Sequence, residues 1–151
     1  NDLLPANFLD DGHKLWLIDF EYAGFSTAMF DIAGVASNAE MNGAEAATLL
    51  EAALGAAPDA ALTRSFHAMQ CASLLRETLW SLVSELHLDA PGADYQAYTT
   101  ENLERLDAAL DQYHSTYGKT EIRRRLEGLG PMAKGFDVIS ATSLETGRKK
   151  D

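Results

Sequence analysis

Two stretches decide how this chain folds and what chemistry it can carry: Asn1-Asp2-Leu3-Leu4-Pro5-Ala6-Asn7 and Ile18-Asp19-Phe20-Glu21. The first has the form D-x-x-x-x-N, and the second places Asp19 at the end of an otherwise apolar predicted strand. Burying a carboxylate there without a partner would be costly. A divalent cation held by Asn7 and Asp19 would offset that cost and leave Asp2 to orient a hydroxyl. The structural alternative is a turn in which Asp2 and Asn7 satisfy nearby backbone groups.

The residues between these stretches alternate as a β-hairpin does. Turn-forming residues at 10–14 separate a short apolar run that ends at Leu9 from a return strand predicted at 15–18. If Leu9 pairs with Leu15, the open end of the hairpin gathers the three polar side chains of the two stretches.

After the hairpin the hydrophobic pattern is helical. We expect helices near 28–40, 43–55, 59–88, 94–116 and 120–128. The third of these carries a 4-3-4-3-4 stripe that we expect to face the core: Ala68, Ala72, Leu75, Leu79, Leu82 and Leu86. A polar face is expected on the other side: Ser73, Glu77, Trp80, Ser84 and His87. The predicted fold is therefore mainly α with a small β-hairpin.

Composition excludes several classes of protein. The 151 residues are 46% hydrophobic and 23% charged, as in a globular domain. The net charge is −11, so we expect no nucleic-acid partner, because binding a phosphate backbone needs clustered positive charge. No run reaches the roughly 18 apolar residues of a membrane span, so no membrane partner is expected. The single cysteine, Cys71, fits a reducing compartment and hence a cytoplasmic location.

Asp2, Asn7 and Asp19 are the side chains that phosphoryl transfer requires. In that reaction one Asp orients the attacking hydroxyl, while an Asn and a later Asp hold the Mg²⁺ that bridges the nucleotide phosphates. Ligands that are all oxygen suit Mg²⁺. The sequence thus predicts Asp2 as the catalytic residue and Asn7 and Asp19 as the metal ligands.

Three segments resemble the choline/ethanolamine kinases: residues 1–9, residues 16–22 and Phe30-Asp31-Ile32. These kinases belong to the aminoglycoside-phosphotransferase-like group, which shares the protein-kinase-like fold. The resemblance runs from residue 1 to about 117. It implies ATP and Mg²⁺ as cofactors and gives the same roles to the three polar residues. It also implies that Asp31 braces the catalytic loop; the structural alternative is an acid near a helix N-terminus, where the helix dipole favours negative charge.

The resemblance implies the C-terminal, substrate-binding lobe of a kinase-like fold, with the N-terminal nucleotide lobe absent. We expect that lobe at 1–129, with the catalytic loop and metal hairpin at 1–24, a helical substrate subdomain at 25–129 and a C-terminal tail at 130–151. No G-x-G-x-x-G motif occurs. We therefore expect the chain to be part of a longer protein, to be inactive alone, and to self-associate through apolar faces that the other lobe would cover.

The resemblance also implies a pocket for a small organic cation. Residues 79–83 look like the segment that carries the choline-pocket tryptophans, which makes Trp80 a substrate-binding candidate. Tyr98 and Tyr22 are further candidates. Glu77 stands where the family's eukaryotic members have the first Trp of a W-x-x-W pair, and a carboxylate also attracts a cation. Aromatic faces hold such cations by roughly 0.5–2 kcal/mol per contact. Packing of Trp80 against a neighbouring helix is the structural alternative.

The function expected from these features is transfer of the ATP γ-phosphoryl group to the hydroxyl of a small cationic alcohol, with choline or ethanolamine first. An aminoglycoside or another metabolite alcohol is the second candidate substrate. A kinase-like module that binds a partner without catalysis is the alternative from another class.

Overall fold

The computed structural model of this protein describes residues 2–88 and 90–118. A 3₁₀ turn at Pro5–Asn7 leads into strands β1 (Phe8–Asp10) and β2 (Leu15–Leu17), and then into helices α1 (Ala28–Asn38), α2 (Gly43–Leu54), α3 (Ala60–His87) and α4 (Tyr95–Tyr117). The prediction of a mainly helical chain with one small antiparallel hairpin is confirmed. The helix predicted at 120–128 and the tail at 130–151 lie outside the described residues.

Residues up to Thr116 form one compact unit, and a second begins at Tyr117, of which Tyr117 and Gly118 are described. Within the described part of the chain, no helix has the length and apolar character needed to cross a membrane.

The register of the hairpin differs by one residue from the predicted one. Leu9 pairs with Trp16 rather than with Leu15. The reason lies in the turn, where the Asp11 carboxylate accepts the backbone N–H groups of the two residues that follow Gly12. Gly12 itself has a φ of 82°, which glycine adopts without strain. Together they close a four-residue loop.

Each helix begins at a residue whose side-chain oxygen accepts a backbone N–H from the first turn, which satisfies a donor that the helix leaves unpaired. These residues are Thr27, Asn42, Asp59 and Asp94. The predicted starts at Asp59 and Asp94 are therefore confirmed.

The core lies where α1 packs against α2 and α3. Its buried residues are Ala33, Ala36, Ala46, Leu50 and Phe66. Gly34 on α1 is also buried, and a Cβ added to it would lie 3.5 Å from the Ser73 hydroxyl of α3. Small side chains thus let α1 and α3 approach closely.

The prediction for the two faces of α3 is wrong. The leucines expected in the core, Leu75, Leu79, Leu82 and Leu86, are between 39% and 77% exposed. Three of the five residues expected on the polar face are buried instead: Ser73, Glu77 and Ser84. Their neighbours Leu74, Thr78 and Ser81 are buried with them, whereas Trp80 and His87 are exposed. Exposed leucines in a row are typical of a surface that contacts another apolar surface, and the expected self-association stays a prediction.

Hydrogen bonds made within and between the helices explain why Thr78 and Ser81 of α3 can be buried. The Thr78 hydroxyl lies 2.8 Å from the Leu74 carbonyl and 3.2 Å from the Asn102 carbonyl of α4. The Ser81 hydroxyl donates to the Thr78 carbonyl at 2.8 Å. Because these groups keep hydrogen-bond partners, burial leaves no unpaired donor there.

Gly34→Ala should raise the free energy of unfolding by up to about 1 kcal/mol, because alanine has the higher helix propensity. The new methyl group meets the Ser73 hydroxyl at ordinary contact distance. Gly34→Leu should instead lower that free energy by about 1–3 kcal/mol through overpacking. Urea unfolding followed by circular dichroism measures both. A Gly34→Ala variant less stable than the wild type would show that α1 and α3 pack more tightly than described.

Candidate functional site

The loop that carries the D-x-x-x-x-N motif is held by the hairpin and by α1. The side-chain amide of Asn7 donates to the Asp2 carbonyl at 3.0 Å, and the backbone N–H of Ile18 donates to the Asn7 carbonyl at 3.0 Å. From the end of α1, the side-chain amide of Asn38 donates to the Leu3 carbonyl at 3.3 Å. Asn7 is only 8% exposed. The loop is thus fixed by three side-chain and backbone bonds to its carbonyl oxygens.

The two predicted metal ligands lie at the same end of the hairpin. Asp19 directly follows Ile18, whose N–H is bonded to Asn7. The Nδ2 atom of Asn7 donates to the Asp2 carbonyl, so Oδ1 of Asn7 is the atom that can bind a cation. Asp19 has a φ of 63°, in the left-handed region that few residues other than glycine adopt, and such strain is concentrated at functional sites.

The donor set at this end of the hairpin fits Mg²⁺ better than a metal that takes all its ligands from protein. Among residues 2–88 and 90–118, no three His, Cys, Asp or Glu side chains are grouped so that they could hold a metal. Mg²⁺ is commonly bound by one or two carboxylates together with water and substrate phosphates. One amide oxygen from Asn7 and one carboxylate from Asp19 match that pattern.

A cavity of about 390 Å³ opens beside the loop that carries Asp2. Its lining residues are Asp2, Leu4, Arg76, Glu77, Trp80, Ala93, Asp94, Tyr95 and Tyr98. Four of the predicted site residues are therefore brought together from three separate elements: Asp2 from the loop, Glu77 and Trp80 from α3, and Tyr98 from α4.

Glu77 is the centre of the polar contacts in this cavity. It is only 6% exposed, and each of its carboxylate oxygens has a partner. Oε1 accepts the Tyr98 hydroxyl at 2.6 Å, and Oε2 accepts Nη2 of Arg76 at 3.0 Å. The same Nη2 atom donates to Oδ1 of Asp2 at 2.9 Å. A single guanidinium nitrogen therefore joins the predicted catalytic carboxylate to the buried one.

Tyr98 and Trp80 form an aromatic side of the cavity. Their ring centroids are 6.3 Å apart and the planes meet at 87°, an edge-to-face contact. Burial, followed by the hydrogen bond to Glu77 and its negative charge, raises the pKa of Tyr98 to about 12. The hydroxyl therefore stays protonated and donates to Glu77 at neutral pH. Trp80 remains 40% exposed, so its ring is accessible.

Four predicted site residues do not line the cavity: Asn7 and Asp19, which lie at the end of the hairpin, and Tyr22 and Asp31. Tyr22, in the segment after β2, is 56% exposed. Asp31 lies in the first turn of α1 and is partly buried. The roles inferred for them from the family resemblance stay predictions.

Three further cavity residues were missed from the sequence: Arg76, Asp94 and Tyr95. Arg76 offered a signal, because it is one of only four basic residues among the first 118 and directly precedes Glu77. Asp94 was predicted only as the start of a helix. Asn38 was not among the predicted site residues, because its bond to the Leu3 carbonyl could not be read from its position in the sequence.

Two curated proteins and a solved structure are similar to this chain. No protein-family model matches the chain. Two curated proteins from Haemophilus influenzae, both named Protein LicA and one from strain Rd, are 31% identical to it over 123 residues. The match covers 73% of this chain and 41% or 32% of those proteins.

A crystal structure from Mesorhizobium loti is similar as well. It is described as a choline/ethanolamine kinase family protein, is 28% identical and superposes with a TM-score of 0.65, covering 72% of this chain and 37% of that one. The resemblance to the choline/ethanolamine kinase family is confirmed. This chain thus corresponds to less than half the length of each of these relatives.

Tyr98→Phe should lower the free energy of unfolding by about 1–3 kcal/mol, because it leaves Oε1 of the buried Glu77 without a donor. Tyr113→Phe, on the same helix, is the matched control. The Tyr113 hydroxyl accepts a hydrogen bond from Nε of Arg64 at 3.2 Å in an exposed position. Its loss should therefore lower the free energy of unfolding by less. Urea unfolding at pH 7 measures both, and equal losses would contradict the importance of Glu77 burial.

The raised pKa of Tyr98 adds a dependence on pH. The unfolded chain releases this proton near the ordinary value of 10, whereas the folded chain holds it to about 12. Stability from this group is therefore complete below pH 10 and falls as the pH rises towards 12. That part of the decline should be missing from Tyr98→Phe when unfolding is measured between pH 9 and 11.

Proposed function

We propose that this chain supplies the alcohol-binding and hydroxyl-orienting part of an ATP- and Mg²⁺-dependent phosphotransferase. The acceptor is a small cationic alcohol, with choline or ethanolamine as the best fit. The observation that carries the proposal is that the Asp2 carboxylate, the buried Glu77 and the Trp80–Tyr98 pair all line one cavity. The similar crystal structure, which is described as a choline/ethanolamine kinase family protein, supports the same chemistry.

Asp2 is the proposed catalytic residue because it lines the cavity from a loop fixed on both sides. Its carboxylate can accept a hydrogen bond from an alcohol in the cavity and so aim the hydroxyl oxygen at the phosphorus. Asn7 and Asp19 would hold Mg²⁺, which when bound neutralises charge on the nucleotide phosphates. Positioning and electrostatic stabilisation account for most of the catalysis in this class of reaction.

The charge and lining of the cavity favour a cation. The lining residues include three acids, Asp2, Glu77 and Asp94, and one base, Arg76, so the formal charge of the lining is negative. The accessible Trp80 ring offers a π-face to an ammonium group. Together these features bind positive charge while the aromatic rings contact the alkyl groups around it.

The size of the cavity favours a small amino alcohol over an aminoglycoside. Its volume of about 390 Å³ lies near the lower end of ligand pockets, which span roughly 300–1,000 Å³. A non-catalytic module would have no need of Asp2, Asn7 and Asp19 in this arrangement.

The test is a phosphorylation assay on the protein as its gene encodes it, with ATP and Mg²⁺. Choline, ethanolamine and a panel of aminoglycosides are the acceptors, and mass spectrometry detects the phosphorylated product. We expect product from choline or ethanolamine. Product from aminoglycosides alone would replace the proposed substrate, and no product from any acceptor would refute the phosphotransferase.

Asp2→Asn should lower kcat by about 10²–10⁴-fold, the usual contribution of a positioned proton acceptor. The dissociation constant for ATP should change little, because the proposed metal ligands are intact. Asp107→Asn, an exposed carboxylate on α4, is the control and should behave as the wild type. A kcat for Asp2→Asn equal to that of Asp107→Asn would remove Asp2 from the mechanism.

Trp80→Ala should raise KM for the alcohol by about 3–30-fold, the range expected for loss of a cation–π contact. KM for ATP should stay nearly constant. Leu79→Ala is the matched control, since Leu79 is 53% exposed on the same helix and does not line the cavity. Equal changes in both KM values for Trp80→Ala would instead indicate a packing role.

A further inference from the structure

The Asp2 carboxylate has a single side-chain partner among the described residues. Its backbone carbonyl accepts bonds from Asn7 and from the N–H of Leu4, but its Oδ1 is bonded to Arg76 at 2.9 Å. The loop bonds fix where the backbone of residue 2 lies. They do not fix the direction of its carboxylate, so that task falls to Arg76.

Arg76 is itself anchored by the buried carboxylate next to it. Its Nη2 atom donates to Glu77 at 3.0 Å, and the Glu77 side chain is only 8% exposed. The Asp2 side chain is 17% exposed and that of Arg76 31%. Partial burial makes this cluster more rigid and less screened than an ion pair on the surface. Glu77 is held in turn by Tyr98, so the chain of contacts runs from α4 through α3 to the loop.

We propose that Arg76 is the positioning residue of this site: it fixes the Asp2 carboxylate at one separation from the cation-binding side of the cavity. This rests on the proposed function. The hydroxyl end and the ammonium end of the substrate are then bound by groups that are both hydrogen-bonded to one guanidinium nitrogen. The site thereby selects alcohols by the number of carbons between hydroxyl and nitrogen, rather than by charge alone.

The contact geometry indicates how far a lysine can replace Arg76 in this role. Both contacts come from one nitrogen, so the two-pronged geometry of arginine is not needed to bridge the carboxylates. The Nε atom of Arg76 is buried without a hydrogen-bond partner among the described residues. A lysine has no such atom, and its ammonium can also donate to two carboxylates. Arg76→Lys should therefore keep much of the function, whereas Arg76→Met should not.

The experiment uses the protein as its gene encodes it and measures kcat and KM for two acceptors. One is choline or ethanolamine, whichever the wild type phosphorylates faster, and the other is its homologue with one more methylene between hydroxyl and nitrogen. Arg76→Met should lower kcat for the shorter alcohol by about 10²-fold, the effect of a misplaced reacting group. KM for ATP should change less than twofold. The preference for the shorter alcohol should fall at least tenfold.

Two variants serve as comparisons. Arg76→Lys should keep kcat within about tenfold of the wild type and retain most of the preference, since one donor nitrogen remains in place. Arg64→Met removes the same side chain from the same helix, where Arg64 contacts Tyr113, and should leave kcat and preference unchanged. Circular dichroism confirms that each variant is folded.

The outcomes separate the two proposals. No turnover of any alcohol by the wild type refutes the proposed function and the role of Arg76 with it. Turnover by the wild type, with kcat and preference unchanged in Arg76→Met, refutes only the role of Arg76. If kcat falls equally for both alcohols in Arg76→Met and in Arg76→Lys, Arg76 has only a structural role.

If Arg76→Met fails to fold, Glu77→Gln decides the question. This variant keeps the size of the side chain and its acceptor oxygen for Tyr98 but removes the charge that anchors Arg76. A lower kcat together with a reduced preference for the shorter alcohol supports the positioning role. An unchanged preference contradicts it.

Discussion

The rest of the site depends on a carboxylate that is buried in the face of a long helix. Glu77 is only 6% exposed, and a charge in that position is tolerated only where it is hydrogen-bonded and paired. Tyr98 and Arg76 meet this requirement from either side. These contacts join α4 and the predicted catalytic loop to α3. The need to pair one buried charge therefore brings together three elements that are distant in sequence.

The same helix shows how small polar residues shape a core. The buried face of α3 carries hydroxyl groups that bond to carbonyls of their own helix and of α4. Because these side chains are short, α1 can approach α3 closely at Gly34. The leucines then fall on the outer face, where they are exposed among the described residues. An apolar stripe is evidence that a surface will be covered, but it does not say by which part of a protein.

That distinction explains what could be predicted from the sequence. Helix boundaries followed from local chemistry, since two helices begin beside Asp59 and Asp94, as predicted, and each side chain caps the first turn there. The hairpin followed from its turn residues, although its register depended on side-chain bonds of Asp11 that no alternation pattern encodes. The orientation of α3 failed because helical periodicity identifies two faces, and the choice between them is made by neighbouring helices.

The candidate site divides in the same way. Asp2, Glu77, Trp80 and Tyr98 were identified by spacing and family resemblance, and the fold places all four around one cavity. Arg76 was not predicted as a site residue because residues 76 and 77 project from a helix about 100° apart, which suggests different environments for them. The length of the arginine side chain overcomes that angle: its guanidinium reaches back to Glu77 and across to Asp2. A flexible cation beside a buried carboxylate therefore belongs to the same site even when helical geometry assigns it to another face.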